Sequence, residues 1–555
     1  MKSRRFARRT EPSLLNDALR WCVALALMVV ILVIPDHIDY LGLGIFQRAP
    51  LELPVAVFLL AVLQGWPRRL VRVAVILLLA LILIFKLANM AVFFGFDRPF
   101  NPMVDLLMAP VALDTLAKSR GLWAEGLVLA GIALVIVLLI GVLTWATGVI
   151  VKSAEGGART PIAVLALAAL GFFFTPYGTF AASAFVRDET VFVARSAADA
   201  PKFRVQLQQD PFSGLPVENR LAGLKGKDVL LVFVESYGRS ALDRSPLAGR
   251  IKDTLQHFDA ALREKGFSAR SAWVKSPTFG GESYLAHSTL VSGLWIENQQ
   301  RYTQLLGSST RTLIRDFGDA GWRTVTVMPE ITMPWPEADF FHFSKIYAAP
   351  DLGYKGEPFE YITMPDQFTL SAFQARELAA VDRPPVMAEI ALVTSHLPWA
   401  PIPKLVPWDE VGDGTIFTTA RTLVGKEEIW DAKKFPEHYA LTIDYALQTL
   451  MSFVTTYADD NTVLIILGDH QPISLVAGEG ASHEVPIHMI AKDPAVLAAI
   501  DDGAWTAGML PNTSSPSWPM DALRGHILEG FTPKPDEAAP AAEPAPATTP
   551  PPGTP

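Results

Sequence analysis

Three stretches decide the fold of this chain: DVLLVFVE (228–235), MAEIALVTS (387–395) and NTVLIILG (461–468). Each is a mainly apolar run of strand length, which is typical of strands buried on both faces, as in a parallel sheet. Segments with helical patterns separate these runs, so the sequence predicts an α/β domain with helices on both faces of a central, mostly parallel sheet. The predicted helices are Ile251–Lys265, Ser283–Ser292, Thr312–Ala320, Phe368–Ala380 and Tyr439–Tyr457.

Ionisable residues follow each predicted strand. Glu235 ends the first run, His396 comes directly after the second, and Asp469 and His470 follow the third. In an open α/β sheet ligands bind beyond the carboxyl ends of the strands, so we expect these side chains to meet at one edge. Carboxylate oxygen and imidazole nitrogen suit Zn²⁺ or Mn²⁺, with Mg²⁺ as a further candidate. Such an ion would polarise a phosphoryl oxygen and activate a hydroxyl nucleophile.

A candidate nucleophile, Ser283, lies in the segment GGESYLAHST (280–289). Two glycines before a hydroxyl residue and an apolar helix predict a tight loop into a helix N-terminus, where free N–H groups favour an anion. A serine beside a metal ion at that point would be an activated nucleophile. Taken alone, such a loop is more often an ordinary helix cap. The prediction therefore depends on the combination with the residues at the strand ends.

Apolar residues are concentrated in the first 180 positions, although the whole chain has a mean hydropathy of +0.28. A spanning helix needs about 20 apolar residues. Of five apolar runs, the third and fourth reach that length, the others lie near the lower limit, and the second also suits an interfacial position. The runs are Leu19–Ile34, Leu51–Trp66, Val73–Phe94, Leu122–Val151 and Pro161–Pro176.

Basic residues indicate the orientation of these spans. They occur at the N-terminus, between the second and third runs, and between the fourth and fifth runs. Five spans put all three segments on one side, which the positive-inside rule makes cytoplasmic, and put the remainder of the chain outside. Four spans would put that remainder inside. Lys86, within the third run, either reaches the interface with its charged end or has a function in the membrane.

The sequence predicts four regions along the 555 residues. They are a transmembrane domain of five helices (1–180), a linker (181–225), an extracytoplasmic catalytic domain (226–532) and a disordered tail rich in Pro and Ala (533–555). The formal net charge of −9 argues against nucleic acid as a partner. The single cysteine, Cys22, excludes an intrachain disulfide and a cysteine metal cluster.

From Asp228 to Ile500 the order of these motifs resembles the alkaline phosphatase superfamily, in particular its sulfatase-like branch. DVLLVFVESYG (228–238) resembles the family's first strand, and NTVLIILGDHQP (461–472) resembles its Asp–His metal pair. LVTSHLPW (392–399) resembles the substrate-side histidine segment, and HEVPIHMIA (483–491) resembles the segment before the last strand. Ser283 takes the nucleophile position, with Ser292-Gly293 at about the family's spacing.

The resemblance implies three groups of functional residues. The metal ligands would be Glu235, Ser283, Asp469 and His470. The catalytic residues would be Ser283 as nucleophile, with His396 and His483 binding the phosphoryl group or protonating the leaving oxygen. The substrate-binding residues would be His287, Trp335 and Trp399.

Apolar spans before such a domain are similar to those of lipoteichoic acid synthases, phosphoglycerol transferases and lipid A phosphoethanolamine transferases. The similarity implies a multi-pass, metal-dependent transferase of the cytoplasmic (inner) membrane, with its catalytic domain periplasmic or extracellular. A covalent phospho-serine enzyme would carry the head group of a phospholipid to a cell-envelope acceptor. Phosphoglycerol is the first candidate for that head group, and phosphoethanolamine is the second.

Several positions differ from these families. Leu285 and His287 stand where sulfatases have Pro and Arg, the two transferase groups generally use Thr as nucleophile, and Glu337 stands where the synthases have Arg. Two alternatives stay open. One is a membrane-bound sulfatase or phosphatase/phosphodiesterase that hydrolyses soluble esters. The other is a catalytically degenerate envelope-assembly module.

Overall fold

The structure is a computed structural model that describes residues 11–37, 42–96, 98–106, 109–110, 113, 122–214, 219–244, 246 and 248–533. The chain forms two compact units, Met1–Phe203 and Arg204–Pro555. The predicted linker (181–225) begins with a helix of 26 residues, Ala181–Gln206. The predicted disordered tail lies outside the described residues from residue 534 onward.

The first unit is helical, with one pair of very short strands, β1 and β2, that run parallel to each other. The last of its helices continues a few residues into the second unit. In chain order its elements are α1 (Glu11–Val33), β1 (Ala49–Pro50), α2 (Glu52–Val62), α3 (Gly65–Phe96), α4 (Leu122–Ser153), α5 (Arg159–Ala169), β2 (Gly178–Thr179) and α6 (Ala181–Gln206).

Three helical stretches of the described residues are long and apolar enough to cross a membrane: Leu15–Val33, Gly65–Phe93 and Trp123–Phe174. The third stretch is bent between α4 and α5 at Gly157, whose φ is 101°. The helices α2 and α5 have 11 residues each, about 16 Å at 1.5 Å per residue. That is about half of the apolar thickness of a bilayer, roughly 30 Å. The prediction of five full spans is therefore not confirmed, because the second and fifth runs form short helices.

The basic segments of the first unit meet at one of its ends. The Trp21 indole donates to Ser153 Oγ at 2.8 Å, and Arg68 Nη1 donates to Glu155 Oε1 at 2.8 Å. These contacts bring together the N-terminal parts of α1 and α3 and the C-terminal end of α4. The basic residues between the second and third runs and those between the fourth and fifth runs therefore share one side, and the basic residues of the N-terminus (2–9) lie outside the described residues.

Lys86 has a structural role at the end of α1. It is 3% exposed, and its Nζ donates to the carbonyl oxygens of Leu32 at 2.9 Å and Ile34 at 2.7 Å. Because α1 ends at Val33, the carbonyls of its last turn lack partners within the helix. The ammonium group supplies these partners, so the side chain caps a helix C-terminus inside the apolar unit.

The second unit alternates strands and helices. Its strands are β3 (Asp228–Val234), β4 (Ser268–Lys275), β5 (Arg323–Met328), β6 (Lys345–Ala348), β7 (Val386–Leu392), β8 (Thr462–Gly468), β9 (Glu484–Ala491), β10 (Thr506–Ala507) and β11 (Ser517–Pro519). Its longer helices are α7 (Ala248–Glu264), α8 (Ser283–Ser292), α9 (Gln299–Leu306), α10 (Leu313–Asp319), α11 (Asp366–Phe373), α12 (Phe435–Tyr457), α13 (Pro494–Ala499) and α14 (Ala522–Phe531).

In the described part of the chain these nine strands form one sheet, in the order β10-β4-β9-β8-β3-β7-β5-β6, with β11 also beside β4. One half of the sheet consists of β8, β3, β7, β5 and β6, and within it each strand is parallel to its neighbours. The strand β9 is antiparallel to both β8 and β4, and β10 is antiparallel to β4. The sheet as a whole is thus mixed. The sequence did not predict the antiparallel strands, because an apolar run indicates that a strand is buried but not in which direction it runs.

The strand β3 lies at the centre of the sheet, and all seven of its residues are buried. It pairs with β7 and β8 in a register that sets Val234 opposite both Leu392 and Gly468. Alternate residues of a strand face opposite sides. Val234 and its like-facing neighbours join the hydrophobic cluster that contains α7 and α12, whereas Phe233 stacks on His287 of α8 on the other face. The three predicted strands therefore end at one level between two helical layers.

Candidate active site

Glu235, Asp469 and His470 meet directly beyond the carboxyl ends of β3 and β8. One ligand atom from each lies within 4.8 Å of the others, and all three side chains are buried. The parallel register of β3 and β8 causes this meeting, because it sets Val234 beside Gly468 and so places the next residues of both strands together. The edge predicted from the sequence is where these residues meet.

The two neighbouring carboxyl groups, Glu235 and Asp469, have pKa values shifted in opposite directions. Burial and the neighbouring Glu235 raise the pKa of Asp469 well above its usual value. Burial opposes the ionisation of Glu235, but His470, His396 and the hydrogen bonds from Asp469 and Ser236 lower the pKa of Glu235 to about 2. Like charges this close cannot both be held without a compensating cation. Asp469 is therefore the carboxyl group of the pair that takes up a proton more readily.

Backbone groups hold Asp469 in place. Its Oδ1 accepts hydrogen bonds from the backbone N–H groups of Ser236 and His470, both at 2.7 Å. Ser236 has a φ of 57°, in the left-handed region that non-glycine residues rarely adopt. This turn after β3 aims the N–H group of Ser236 at the carboxylate. The strained backbone is thus part of how the site is built.

His470 presents Nε2 to the centre of the site. Its Nδ1 lies 2.7 Å from the carbonyl oxygen of Gln471. A carbonyl only accepts, so Nδ1 carries a hydrogen, and in the neutral imidazole Nε2 is then the nitrogen with a lone pair. That nitrogen lies 3.1 Å from Ser283 Oγ and 3.5 Å from Glu235 Oε1. A histidine held in this way is the usual form of a metal-ligating imidazole.

Ser283 is the first residue of α8, and its hydroxyl points at the same centre. Glu282 before it has a φ of 61°, and Gly280 has a φ of 72° and donates its N–H to Gln471 O at 2.9 Å. This tight loop brings Ser283 Oγ to 3.0 Å from Glu235 Oε2, to which it donates. The predicted nucleophile and the strand-end residues therefore form one cluster.

The donor set fits a divalent cation. Ser283 Oγ donates its hydrogen to Glu235 Oε2, so a neutral His470 with its hydrogen on Nδ1 turns the lone pair of Nε2 toward the same centre. Two carboxylates, one imidazole nitrogen and one hydroxyl oxygen then point their lone pairs at one small volume. Such an O/N set suits Zn²⁺ or Mn²⁺.

His287 lies one turn after Ser283 on α8. Its Nδ1 is 2.7 Å from Glu389 Oε1, and its ring stacks on Phe233 with 3.7 Å between centroids. The side chain is 12% exposed, so most of its surface contacts protein. Glu389 did not enter the set of candidate residues predicted from the sequence. The signal was present, because it is the only charged residue in the apolar strand β7.

The other predicted histidines lie around the cluster. His396 is exposed, its Nδ1 is 2.7 Å from Leu397 O, and its charge helps to lower the pKa of Glu235. The partly buried ring of His483 lies 5.4 Å from that of Phe279, which pairs with Gln471. Among the described contacts, none joins His396 or His483 to Ser283.

The two predicted tryptophans differ in position. Trp399 is 1% exposed, donates to the carbonyl oxygen of Ser395 at 2.6 Å and packs against Phe435 and Tyr439. Trp335 is half-buried beside Phe341, with 6.2 Å between ring centroids. The buried position of Trp399 supports a role in packing the core below the site. Trp335 is only half-buried, so part of its side chain is accessible to a ligand.

Glu330 is an acidic residue near the site that the sequence reasoning missed. It follows β5 by two residues, at the same sheet edge as the other strand ends. Glu330 is exposed, its Oε1 accepts a hydrogen bond from the backbone N–H of Thr363 at 3.4 Å, and it interacts electrostatically with Glu235 and His396. The rule that found the other acids applies here too, but RTVTVM (323–328) was not recognised as a strand.

Comparison with known proteins gives no family model that matches the chain and no curated protein that matches it. Among solved structures it is similar to the lipoteichoic acid synthase LtaP from Listeria monocytogenes, at 14% identity over 61% of this chain and 79% of that one, with a TM-score of 0.39. The phosphoglycerol transferase GacH of Streptococcus pyogenes, in complex with sn-glycerol-1-phosphate, shows 13% identity over 62% and 83% of the two chains and a TM-score of 0.37. An alkaline phosphatase superfamily protein from Vibrio parahaemolyticus shows 16% identity over 53% and 68%, with a TM-score of 0.33.

Proposed function

We propose that this chain is a membrane-anchored, metal-dependent transferase that moves a phospholipid head group to a cell-envelope acceptor. Phosphoglycerol is the leading head group and phosphoethanolamine the second. The observation that carries the proposal is the position of Ser283 Oγ, 3.0 Å from Glu235 and 3.1 Å from His470, beside Asp469. A serine hydroxyl held among metal-ligand types at a helix N-terminus is arranged for attack on phosphorus.

The chain's own residues account for the two half-reactions. Ser283 Oγ attacks phosphorus as its proton passes to Glu235, the bond between phosphorus and the diacylglycerol oxygen breaks, and that oxygen takes a proton from the exposed His396. An acceptor hydroxyl then attacks the phospho-serine and gives its proton to His396, while the bond between phosphorus and Ser283 Oγ breaks and Ser283 takes back its proton from Glu235. Glu235, Asp469, His470 and Ser283 would hold Zn²⁺ or Mn²⁺, which when bound would lower the pKa of the serine hydroxyl and offset phosphoryl charge. With water as acceptor the same residues would act as a phosphodiesterase.

The membrane topology forms a further part of the proposal. The described basic segments share one end of the first unit, whereas Ser183 at the start of α6 donates its N–H to Glu52 at the start of α2, at 2.9 Å. Lys86, which caps the C-terminal end of α1, interacts electrostatically with Glu52. The start of α6, the helix that leads to the second unit, thus lies beside the start of α2 and away from the basic end of the first unit. We infer a cytoplasmic membrane location with the catalytic unit on the periplasmic or extracellular side.

The test is turnover of phosphatidylglycerol and phosphatidylethanolamine labelled in the head group, by the purified full chain with Mn²⁺ or Zn²⁺. We expect diacylglycerol release and label retained on the protein. Ser283→Ala should abolish both, and Ser283→Thr should keep the hydroxyl and part of the activity. Ser288→Ala is the matched control, because Ser288 lies on the same helix but donates to the carbonyl oxygen of Tyr284 at 2.6 Å.

Each other outcome favours a different function. Turnover of soluble phosphate or sulfate esters without lipid turnover would favour the hydrolase. Normal folding with no bound metal and no turnover of any ester would favour the degenerate module. Unchanged label on Ser283→Ala would refute the phospho-serine step.

A further inference from the structure

A cavity of about 940 Å³ opens at the basic end of the first unit, between α1, α3, α4 and the start of α5. Two acidic residues, Asp17 and Glu155, lie in its described lining together with five basic ones. The described lining thus has an excess of three positive charges. The basic residues are Arg20, Arg68, Arg69, Arg72 and Lys152.

Arg68 is a buried cation in this lining. It is 5% exposed, its Nε donates to Leu63 O at 2.5 Å and its Nη1 donates to Glu155 Oε1 at 2.8 Å. Its remaining terminal nitrogen, Nη2, is buried and has no hydrogen-bond partner among the residues that the structure describes. A buried donor without an acceptor is costly, and an anionic oxygen in the cavity would remove that cost.

Arg72 is fixed on another wall of the cavity. Its Nε donates to Thr147 Oγ1 at 3.1 Å and its Nη2 donates to Thr144 O at 2.6 Å. The guanidinium group lies against Gly148, where a Cβ atom would come within 3.1 Å of Nη2. Because Gly148 of α4 has no side chain, the guanidinium group of Arg72 has room to lie against that helix. Two arginines held by neighbouring helices thus border one volume.

We propose that this cavity binds the phosphate group of an anionic ligand at the cytoplasmic end of the membrane unit. The guanidinium fork matches the geometry of phosphate oxygens, which a lysine does less well. Basic pockets between membrane helices on the cytoplasmic side suit anionic lipid head groups. The same chemistry belongs to a lipid phosphomonoester and to a soluble phosphate compound. The described lining lies wholly within the first unit, so the site is separate from Ser283.

The test uses the full chain in detergent with two probes, phosphatidic acid and inorganic pyrophosphate. Phosphatidic acid carries no head group to transfer, so its binding is independent of the proposed catalytic reaction. Native mass spectrometry measures retained lipid, and equilibrium dialysis measures pyrophosphate. The variants are Arg68→Gln and Arg72→Gln, with Arg72→Lys as the variant that keeps the charge. Arg195→Gln on α6 is the control, because Arg195 is exposed and outside the cavity.

We expect wild type and the Arg195 control to retain phosphatidic acid but not phosphatidylcholine. Each glutamine variant should bind about fivefold more weakly, since a basic residue near a membrane surface contributes about 1 kcal/mol. The lysine variant should recover part of the loss. Pyrophosphate binding with the same dependence on the variants, without lipid retention, would support the phosphate site and assign it to a soluble ligand.

Two results would overturn the proposal. One is equal retention of phosphatidic acid by wild type and by both glutamine variants, with unchanged thermal midpoints. The other is absence of binding of both probes to the wild type. If Arg68→Gln does not fold, Arg72→Gln decides the test, because the partly exposed Arg72 makes no ion pair among the described contacts.

Discussion

Replacing Asp469 by Asn should have opposite effects on the metal-free and the metal-bound protein. The Oδ1 atom of Asp469 accepts from the N–H groups of Ser236 and His470 at 2.7 Å, and an Asn oxygen can accept both. The Asn amide can also donate to Glu235, with which Asp469 shares a side-chain hydrogen bond. The metal-free variant should therefore be at least as stable as the wild type, because one buried carboxylate is removed. The metal-bound form should lose an anionic ligand.

The magnitudes follow from mass action. Metal at 100 times its Kd adds about 2.7 kcal/mol to the stability of the folded state. At about 2 °C per kcal/mol, a thermal midpoint for a chain of this size should rise by about 5 °C. Loss of even an outer partner of a metal ligand costs about 10- to 100-fold in affinity. A 100-fold loss leaves about 0.4 kcal/mol, or less than about 1 °C, at the same metal concentration.

The assay is thermal unfolding of the full chain in detergent, with EDTA and with Mn²⁺ or Zn²⁺. The control is Asp460→Asn, because Asp460 is 84% exposed, lies before β8 and pairs with Lys492 at 2.6 Å. It should keep the full metal-dependent rise. Two results would refute the reasoning: a metal-free Asp469→Asn protein that melts several degrees below wild type, or a variant that keeps the full rise.

Three further changes test the second unit. Asp316→Asn should lower the free energy of unfolding by about 3–5 kcal/mol, because its buried carboxylate binds three arginines; Asp319→Asn, 43% exposed, should cost less than about 1 kcal/mol in the same urea titration. Gly468→Ala should abolish the metal-dependent thermal shift, because its Cβ would lie 2.0 Å from a backbone carbonyl oxygen, whereas Gly249→Ala on α7 has open space and should leave it intact. Burial raises the pKa of Asp366 from 3.8 to about 6, so its protonated form stabilises the fold below pH 3.8 and this contribution is lost as pH rises to about 6. The wild type should lose about 2.4 kcal/mol relative to Asp366→Asn between pH 4 and pH 7, as measured by urea unfolding; equal pH profiles would contradict this.

The strand ends explain why part of the site could be predicted. Glu235, Asp469 and His470 each follow an apolar run directly, and parallel strands bring their carboxyl ends to one edge. Ser283 was found because two glycines and a hydroxyl residue mark a loop into a helix. These are local signals, and the structure brings all four residues together. Their roles stay predictions until turnover is measured.

Other features depend on contacts between distant parts of the chain. Glu389 is a candidate site residue because it contacts His287, which is 102 positions away in the sequence. Trp399 follows a site motif but is buried, because its indole reaches Ser395 and two aromatic rings of α12. Glu330 follows a short strand, β5, that holds only six residues. No local pattern of apolar residues reports such pairings.

The sequence by itself determined that a membrane unit precedes an α/β unit and which strand ends carry acids and imidazoles. Hydropathy and strand-end position are properties of neighbouring residues, so they can be read along the chain. The tertiary structure decided the rest: the length of the second and fifth apolar helices, the antiparallel position of β9, and the cap that Lys86 provides for α1. It also decided the meeting of Arg68 and Arg72 around one cavity. Each of these features depends on packing between segments that lie far apart in the sequence. No single segment therefore predicts it.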